Sequence, residues 1–437
     1  MSLPIVHVSS GSKSPILSVP AEITEKIFTI CLPTLSPESN SIPCPSSRTA
    51  PLLLAQVCRQ WRDFSIGTPA LWAFIFYVAR SRELLELWLS RAGNLPLTIF
   101  LLTGDEPRAR MFMDAVIPHC SRWKDVHLTL PLSAVRQLSM IPFPLLERLT
   151  ISTIGNNMWT TGDPAVIRDA PLLRYADISL LPQVDLPFEQ LTTLRAGNTG
   201  VDQTIAILQR CPNLVDLSCS YAGAGNQSTT RPPVELRSLR SLTAVDKRFL
   251  PFLTVPRLER FDISGDIEAG DLQSLISRSS CDLRVLCVQV YQTPAPHLKP
   301  LLRVAASAVH LQLQGEGIES QMQIFQDANV LPKLEQLEIR DPTRIIVQTI
   351  MMHTLNPQPQ TVRYRDAVVR SDGDYRALAD MLWWRQARGL QSFQLSLGPA
   401  APFPPAHAIT AFRALAQVGL QVRVTQKETV LLDTRAA

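Results

Sequence analysis

The sequence predicts an α/β fold in which a small helical unit is followed by a stacked array of strands, each with its own return segment. Three observations lead to this prediction. Residues 19–72 carry apolar side chains at helical spacing. From Trp123 onward, a pattern of the type L-x-x-L-x-I recurs in eleven copies, mostly 18 to 27 residues apart. The 437 residues are 46% hydrophobic and 18% charged, so they supply enough apolar material for a large core.

The first helical segment is residues 19–32. Ile23, Ile27 and Ile30 recur at i, i+4 and i+7, which places them on one side of a helix. Pro20 stands just ahead of the first turn and Glu22 lies within it, and both are typical of a helix start. The segment therefore predicts an amphipathic helix.

The second helical segment has a wider apolar stripe. Leu53, Leu54, Val57, Cys58 and Trp61 follow the spacing i, i+1, i+4, i+5 and i+8, and we interpret them as one continuous helical face. Two short helices of this kind bury too little surface to be stable alone. They are expected to pack on a larger body or on a partner.

These residues also carry a family resemblance. The pattern Val19-Pro20-x-Glu22-Ile23, Ile27-Phe28, Val57-Cys58-Arg59-x-Trp61-Arg62 and Pro69-x-Leu71-Trp72 resembles the F-box in the form common in mushroom-forming fungi. The resemblance implies binding to a Skp-family adaptor, and through it to a cullin, while the rest of the chain presents a client protein. The adaptor-binding residues that it implies are Pro20, Ile23, Ile27, Leu53, Val57, Cys58, Trp61, Leu71 and Trp72.

The predicted domain boundaries follow from this pattern. Residues 1–17 are expected to be a disordered N-terminus, and residues 18–77 the F-box. The F-box is interrupted by an insert at 33–50 that is rich in proline and serine and has no apolar face. Residues 78–122 are expected to form connecting helices and a first strand, and 123–437 the repeats with a C-terminal cap. The alternative is that the helical segments only cap the repeats.

The recurring pattern predicts one strand and one return segment per unit, which is typical of leucine-rich repeats. A single unit cannot bury its apolar side, whereas stacked copies share one core. We therefore predict a leucine-rich-repeat solenoid, or horseshoe, with helical returns at 201–209, 271–277, 321–327, 345–353, 375–388 and 407–418. The copies begin at Trp123, Leu146, Leu173, Leu191, Leu214, Leu239, Leu258, Leu283, Ala308, Leu334 and Leu390.

The same pattern predicts where a client would bind. Because side chains alternate across a strand, the residue between the last two apolar positions of each unit faces away from the core. The alternative is an ordinary solvated sheet face without a partner. The client-binding residues predicted on this face and next to it are Tyr175, Asp177, Arg195, Asp262 and Glu338.

Composition and motifs restrict the other functions. The net charge of +4 is spread along the chain, so neither nucleic acid nor a membrane is expected as a partner. The eight cysteines lack a C-x-x-C motif, and no secretory signal is apparent, so we expect thiols in the cytoplasm or nucleus. Motifs for catalysis, metal or cofactor binding are not recognised, and the expectation is a protein that is not an enzyme. Two alternatives to the ligase role stay open: a leucine-rich-repeat scaffold outside the ubiquitin system, and an enzyme whose site is assembled from distant loops.

Overall fold

The computed structural model of the protein describes fourteen segments of the chain: 19–32, 46–76, 82–153, 163–179, 183–197, 200–219, 233–244, 246–263, 267–289, 295–315, 324–340, 372–397, 403–426 and 429–434. The N-terminus predicted to be disordered (1–17), residues 33–45 of the predicted insert and the predicted helical return at 345–353 lie outside these segments.

Strands are distributed along almost the whole described chain. In chain order they are β1 (Phe74–Ile75), β2 (Leu97–Leu102), β3 (Trp123–Leu130), β4 (Arg148–Thr153), β5 (Ala165–Val166), β6 (Tyr175–Ile178), β7 (Val184–Asp185), β8 (Thr193–Ala196), β9 (Asp216–Cys219), β10 (Val234–Glu235), β11 (Ser241–Ala244), β12 (Leu253–Thr254), β13 (Arg260–Ile263), β14 (Val285–Gln289), β15 (His310–Gln314), β16 (Gln336–Arg340), β17 (Ser392–Leu397), β18 (Gln421–Gln426) and β19 (Thr429–Asp433).

One large sheet organises the molecule. Its fifteen strands follow the chain in the order β1-β2-β3-β4-β6-β8-β9-β11-β13-β14-β15-β16-β17-β18-β19. Neighbouring strands are parallel, except that β19 turns back antiparallel on β18. The other four strands form two short parallel ribbons, β5 with β7 and β10 with β12. The described strands do not close into a barrel, and the fold is a mixed α/β architecture around one open, mostly parallel sheet.

Each of the eleven copies of the sequence pattern leads into a strand of this sheet. In the copy that contains β4, Leu146, Leu149 and Ile151 are all buried. Leu149 and Ile151 are in register with Ala176 and Ile178 of β6, which are buried in the same way. The apolar positions of successive units therefore stack on one side of the sheet, and the core is continuous because each unit covers the next. At the C-terminal end of the sheet, β19 pairs antiparallel with β18 in the region where a cap was predicted.

The sheet begins earlier than the repeats predicted from Trp123. β1 and β2 precede β3 in the same sheet, with Phe74 in register with Thr98 and Ile75 in register with Ile99. β1 has only two residues, too few for an alternating pattern to be recognised in the sequence.

The α-helices within the described residues are α1 (Ala21–Ile30), α2 (Arg59–Gly67), α3 (Arg82–Arg91), α4 (Glu106–Val116), α5 (Leu132–Val135), α6 (Val201–Leu208), α7 (Ala269–Ser279), α8 (Ala295–Val304), α9 (Asp372–Gln386) and α10 (Ala406–Gln417). The predicted returns at 201–209, 271–277, 375–388 and 407–418 coincide with α6, α7, α9 and α10. In the predicted return at 321–327, the described residues form only a 3-10 turn at 324–326. α8 was not predicted, because Pro300 lies inside it and a proline normally marks a helix end.

The predicted continuous stripe from Leu53 to Trp61 is wrong, because the backbone breaks in its middle. Leu54–Gln56 is a 3-10 turn, and α2 begins only at Arg59. Between them, Cys58 is extended, with φ −158° and ψ 173°, and its Sγ accepts a 3.5 Å hydrogen bond from the backbone N–H of Trp61. Cys58 is therefore the residue that caps α2, and a capping residue interrupts a helical face.

The last residues of the predicted insert are structured. The backbone N–H of Thr49 donates to the carbonyl of Ser46 at 3.1 Å, and that of Ser46 donates to the Thr49 hydroxyl at 3.2 Å. Ala50 is buried in the hydrophobic core. The predicted insert at 33–50 therefore includes at its end a residue of the hydrophobic core.

Aromatic side chains join the N-terminal helices to the sheet. Phe28 of α1 packs edge-on against Trp61 and Phe64 of α2, with ring centroids 4.8 and 5.4 Å away. Trp72, just before β1, packs edge-on against Trp88 of α3 at 4.7 Å. These helices and the sheet share one hydrophobic core.

A charged side chain is buried near the other end of the sheet. Arg385 of α9 is only 3% exposed. Its guanidinium donates to the carbonyls of Phe325, Val330 and Leu331 at 2.8, 2.6 and 3.1 Å. Burial lowers the pKa of Arg385 to about 10, with a smaller contribution from the charge of Arg388. Arg385 thus ties α9 to the turn that precedes β16.

Candidate protein-binding surfaces

The N-terminal helices expose an unusual number of branched apolar side chains. In α1 only Phe28 is buried, so the isoleucines on the other side of this helix face solvent. Ile30 is 81% exposed, and Val57, on the turn before α2, is 57% exposed. Such exposed side chains are candidates for contact with a partner. We call Ile23, Ile27, Ile30, Leu53 and Val57 the apolar helical face.

Most of the predicted adaptor-binding residues lie on or beside this face. Ile23, Ile27, Leu53 and Val57 belong to it, and Pro20 is exposed at the start of α1. Cys58 is half-buried as the cap of α2, and Trp61 is half-buried against Phe28. Ile30 was not among the predicted adaptor-binding residues, although it follows Ile23 at i+7 and is the most exposed member of the face.

Leu71 and Trp72 are the exceptions, because both side chains are fully buried within the chain. The indole N–H of Trp72 donates to the carbonyl of Ser65 at 2.7 Å, and Arg91 lies over the ring at 4.4 Å. Their predicted role in direct adaptor contact is therefore wrong. They are core residues that hold the helices on the sheet, and sequence spacing alone does not distinguish these two roles.

The side of the large sheet opposite the core forms a polar surface with two rows of side chains in strict register. We call it the polar sheet face. One row contains Phe74, Thr98, Asp125, Arg148, Tyr175, Thr193, Asp216, Ser241, Arg260, Val285, His310, Gln336, Ser392 and Gln421. The other contains Phe100, His127, Thr150, Asp177, Arg195, Ser218, Thr243, Asp262, Cys287, Gln312, Glu338, Gln394 and Arg423.

Over β13 to β16, this face is connected by hydrogen bonds among its own side chains. Arg260 ion-pairs with Asp262 at 3.0 Å and donates to Cys287 Sγ at 2.9 Å and to Gln312 Oε1 at 3.0 Å. Gln312 in turn donates to Glu338 at 2.7 Å. We call Arg260, Asp262, Cys287, Gln312, Glu338 and Arg340 the network half. Most of its polar groups already have partners within the network, so another protein that binds here would have to displace existing hydrogen bonds.

Glu338 is the most enclosed member of the network half. Its side chain is 9% exposed and accepts a 2.6 Å hydrogen bond from Arg340 Nε. Glu338 was predicted to contact the client, and its carboxylate is already covered by Arg340 and Gln312. Burial raises the pKa of the Cys287 thiol, so this group stays protonated at neutral pH and donates to Gln312 Oε1 at 2.8 Å.

Over β1 to β8 the face has a different character, with aromatic rings and guanidinium groups. Arg148 lies 3.9 Å from the centroid of the Tyr175 ring, and Arg195 lies 5.9 Å from it. Phe100 stacks on His127 with ring centroids 5.5 Å apart. We call Phe74, Phe100, His127, Arg148, Tyr175 and Arg195 the aromatic half.

The structure brings together Tyr175, Asp177 and Arg195 of the predicted client site. The Tyr175 hydroxyl lies 3.5 Å from Asp177 Oδ2, and Arg195 is on the next strand of the same face. Asp262 lies apart from them in the network half. Phe74, Phe100 and His127 were not among the predicted client-binding residues. Phe74 and Phe100 lie on β1 and β2, which precede the repeats recognised in the sequence, and His127 lies in the first repeat.

Burial makes ionisation less favourable for two carboxyl groups on this face, those of Asp177 and Asp216. Burial raises the pKa of Asp177, and the nearby positive charge of Arg195 opposes the shift only in part. Burial also raises the pKa of Asp216, with Arg195 again opposing. A raised pKa means that the folded state binds a proton more tightly than the unfolded chain does. The two protonated carboxyl groups contribute most to the free energy of unfolding below the pKa that they have in the unfolded chain. This contribution is lost as the pH rises through their pKa values in the folded state.

We therefore expect Asp216→Asn to increase the free energy of unfolding at pH 7, by less than about 1 kcal/mol because water screens a half-open carboxylate. The gain should vanish below the ordinary aspartate pKa of 3.8, where both states are protonated. Urea unfolding of the original protein and the variant, at pH 7 and below pH 3.8, measures this difference in the free energy of unfolding. Asp185→Asn is the matched control, since Asp185 accepts hydrogen bonds from Arg168 and Arg210 at 2.6 and 3.1 Å and should lose stability. If both substitutions changed the free energy of unfolding at pH 7 in the same direction, burial would not explain the raised pKa of Asp216.

Within the described residues, no group of three or more His, Cys, Asp or Glu side chains is placed to hold a metal ion. The helices of the described segments include none with the length and apolarity needed to cross a membrane. No protein-family model matches the chain, and a search of curated proteins finds no significant match.

Proposed function

We propose that the protein is the substrate-recognition subunit of a ubiquitin ligase of the Skp/cullin/F-box type. In this proposal the N-terminal helices are an F-box that binds a Skp-family adaptor, and the sheet with its return segments is a leucine-rich-repeat horseshoe that binds a client protein. The chain would do no chemistry itself and would act in the cytoplasm or nucleus. Its role would be to raise the effective concentration of client lysines near the conjugating enzyme.

The observation that carries this proposal is the apolar helical face. Its five branched side chains are between 39% and 81% exposed. Covering that remaining surface against a partner is favourable, and full burial of such a side chain contributes at most about 1.5–3 kcal/mol. The face is built from the residues that resemble an F-box, with Ile23 and Ile27 on α1 and Val57 before α2. An adaptor with an apolar groove is a partner that would cover it.

The packing of Trp72 and Trp88 supports the same role. A ligase subunit of this kind has to hold the client at a fixed position relative to the adaptor, and a flexible linker would not do so. Here the helices that bear the apolar face share one core with the first strands of the sheet. The two proposed binding surfaces are therefore parts of one packed body.

The test is co-purification with a Skp-family adaptor. We expect Ile30→Asp with Val57→Asp to weaken adaptor binding by more than about tenfold, because two charges would have to be buried in an apolar interface. Both side chains face solvent, so the unfolding transition should stay within about 0.5 kcal/mol of the original. Isothermal titration calorimetry and urea unfolding measure the two effects.

Met140→Asp is the matched control, since Met140 is as exposed as Ile30 but lies far along the chain, between α5 and β4. It should leave adaptor affinity unchanged. If the original protein retains no adaptor, or if the double variant binds as well as the original, the ligase proposal fails. The scaffold outside the ubiquitin system would then be the better description.

A further inference from the structure

The two halves of the polar sheet face differ in how many of their charged side chains already have hydrogen-bond partners within the sheet. In the network half, Arg260 bonds to Asp262, Cys287 and Gln312. In the aromatic half, Arg195 is exposed. Among the described residues it makes no hydrogen bond or close ion pair, and its contacts are the Tyr175 ring and longer-range attraction to Asp177 and Asp216. Free guanidinium donors and half-exposed rings are the groups that dominate binding energy at protein interfaces.

The charges of the aromatic half are arranged by height above the sheet. The side chain of Arg148 is 48% exposed, whereas that of Asp125, with which it ion-pairs at 3.6 Å, is 29% exposed. Asp177 is likewise only half-exposed, whereas Arg195 on the next strand is exposed. The carboxylates thus lie nearer the floor of the face and the guanidinium groups extend further into solvent. A partner approaching the face meets positive charge first, although the floor is acidic.

Aromatic rings border these guanidinium groups toward the start of the sheet. Phe74 and Phe100 are half-exposed, and the Phe74 ring packs against Phe76 with centroids 4.1 Å apart. The register places Phe74 in the same row as Arg148 and Tyr175, and Phe100 in the same row as Arg195. An apolar area and a positive area therefore adjoin on one rigid sheet.

We propose that the aromatic half is the client-contact site and that its partner is an acidic protein segment with a large apolar or aromatic residue beside its Asp or Glu residues. The apolar residue would pack on Phe74 and Phe100, and the carboxylates would bind Arg148 and Arg195, whose planar guanidinium groups match carboxylate geometry. This inference rests on the proposed client-binding role of the sheet and deepens it. It also confines the client to the end of the sheet next to the N-terminal helices.

The experiment selects a displayed library of random peptides on the full chain. The expected result is enrichment of sequences that combine Asp or Glu with Phe, Trp or Leu. A selected peptide, labelled and titrated by fluorescence anisotropy, should bind Arg148→Gln with Arg195→Gln about tenfold or more weakly than the original. Its affinity should fall as salt is added. A selection repeated on Arg195→Glu should enrich Lys or Arg in place of the acidic residues.

The matched control is Arg340→Gln with Arg423→Gln, which removes two guanidinium groups from the other end of the same face. It should leave peptide affinity unchanged. No enrichment, enrichment of basic peptides on the original chain, or an equal loss in the control variant would overturn the inference. The selection uses the chain without an adaptor. Acidic peptides captured by a chain that retains no adaptor would therefore support this surface and contradict only the ligase role.

Discussion

Replacing Arg385 by Met is expected to lower the free energy of unfolding by about 3–5 kcal/mol. The reason is the set of carbonyls that its guanidinium holds, those of Phe325, Val330 and Leu331. Methionine fills a similar volume but donates no hydrogen bond, so three carbonyls would lose the guanidinium donor, and among them the Leu331 carbonyl keeps, within the described residues, only the backbone N–H of Leu334 at 3.1 Å. Urea unfolding monitored by circular dichroism measures the change.

Arg388→Met is the matched control for this experiment. Arg388 follows Arg385 by three residues, but it is exposed and stacks over Trp384 at 3.7 Å. Its replacement should cost less than about 1 kcal/mol, as is typical of exposed cation–π contacts. A loss as large as that of Arg385→Met would show that positive charge at this end of the sheet matters more than the three carbonyl bonds.

Replacing Trp72 by Ala is expected to lower the free energy of unfolding by about 3–5 kcal/mol, as for other fully buried tryptophans. The change removes the edge-on contact with Trp88 and the hydrogen bond to the Ser65 carbonyl. It also opens a cavity between the N-terminal helices and α3. The measurement is urea unfolding monitored by circular dichroism.

Trp383→Ala serves as the control, because the Trp383 side chain is partly exposed on α9 and fills no cavity. Trp383→Ala should lower the free energy of unfolding by less than half as much as Trp72→Ala does. If Trp72→Ala unfolds no more easily than Trp383→Ala, the helices are not held on the sheet through Trp72. The packing of Trp72 would then not hold the adaptor and the client at a fixed distance from each other.

Much of the fold follows from the spacing of apolar residues. The eleven copies of the strand pattern all lead into strands of the large sheet, and the residues predicted to face away from the core are in register across it. A period of two within each strand specifies which side is apolar, and the repeat length brings equivalent positions together. The returns with a strong helical period, such as α7 and α10, were predictable for the same reason. α8 was not, because Pro300 contradicts the pattern locally while the surrounding packing tolerates it.

The binding surfaces were less predictable, because an apolar residue has the same sequence signature whether it faces the core or a partner. Ile27 and Leu71 belong to one motif, yet Ile27 faces solvent and Leu71 is buried. Polar residues present the same difficulty. Arg195 and Glu338 occupy equivalent positions in their units, but Arg195 is exposed while Glu338 is enclosed by Gln312 and Arg340.

The sequence by itself determined the strand-and-return unit, the side of each strand that is apolar and the two ends of the chain that differ from the repeats. These are local properties, because alternation and helical period are fixed by backbone geometry within a few residues. Only the tertiary structure decided which apolar side chains remain uncovered and which charged ones are already paired. Those outcomes depend on neighbours some twenty to sixty residues away, as in the contacts of Cys287 with Gln312 and of Arg385 with Phe325.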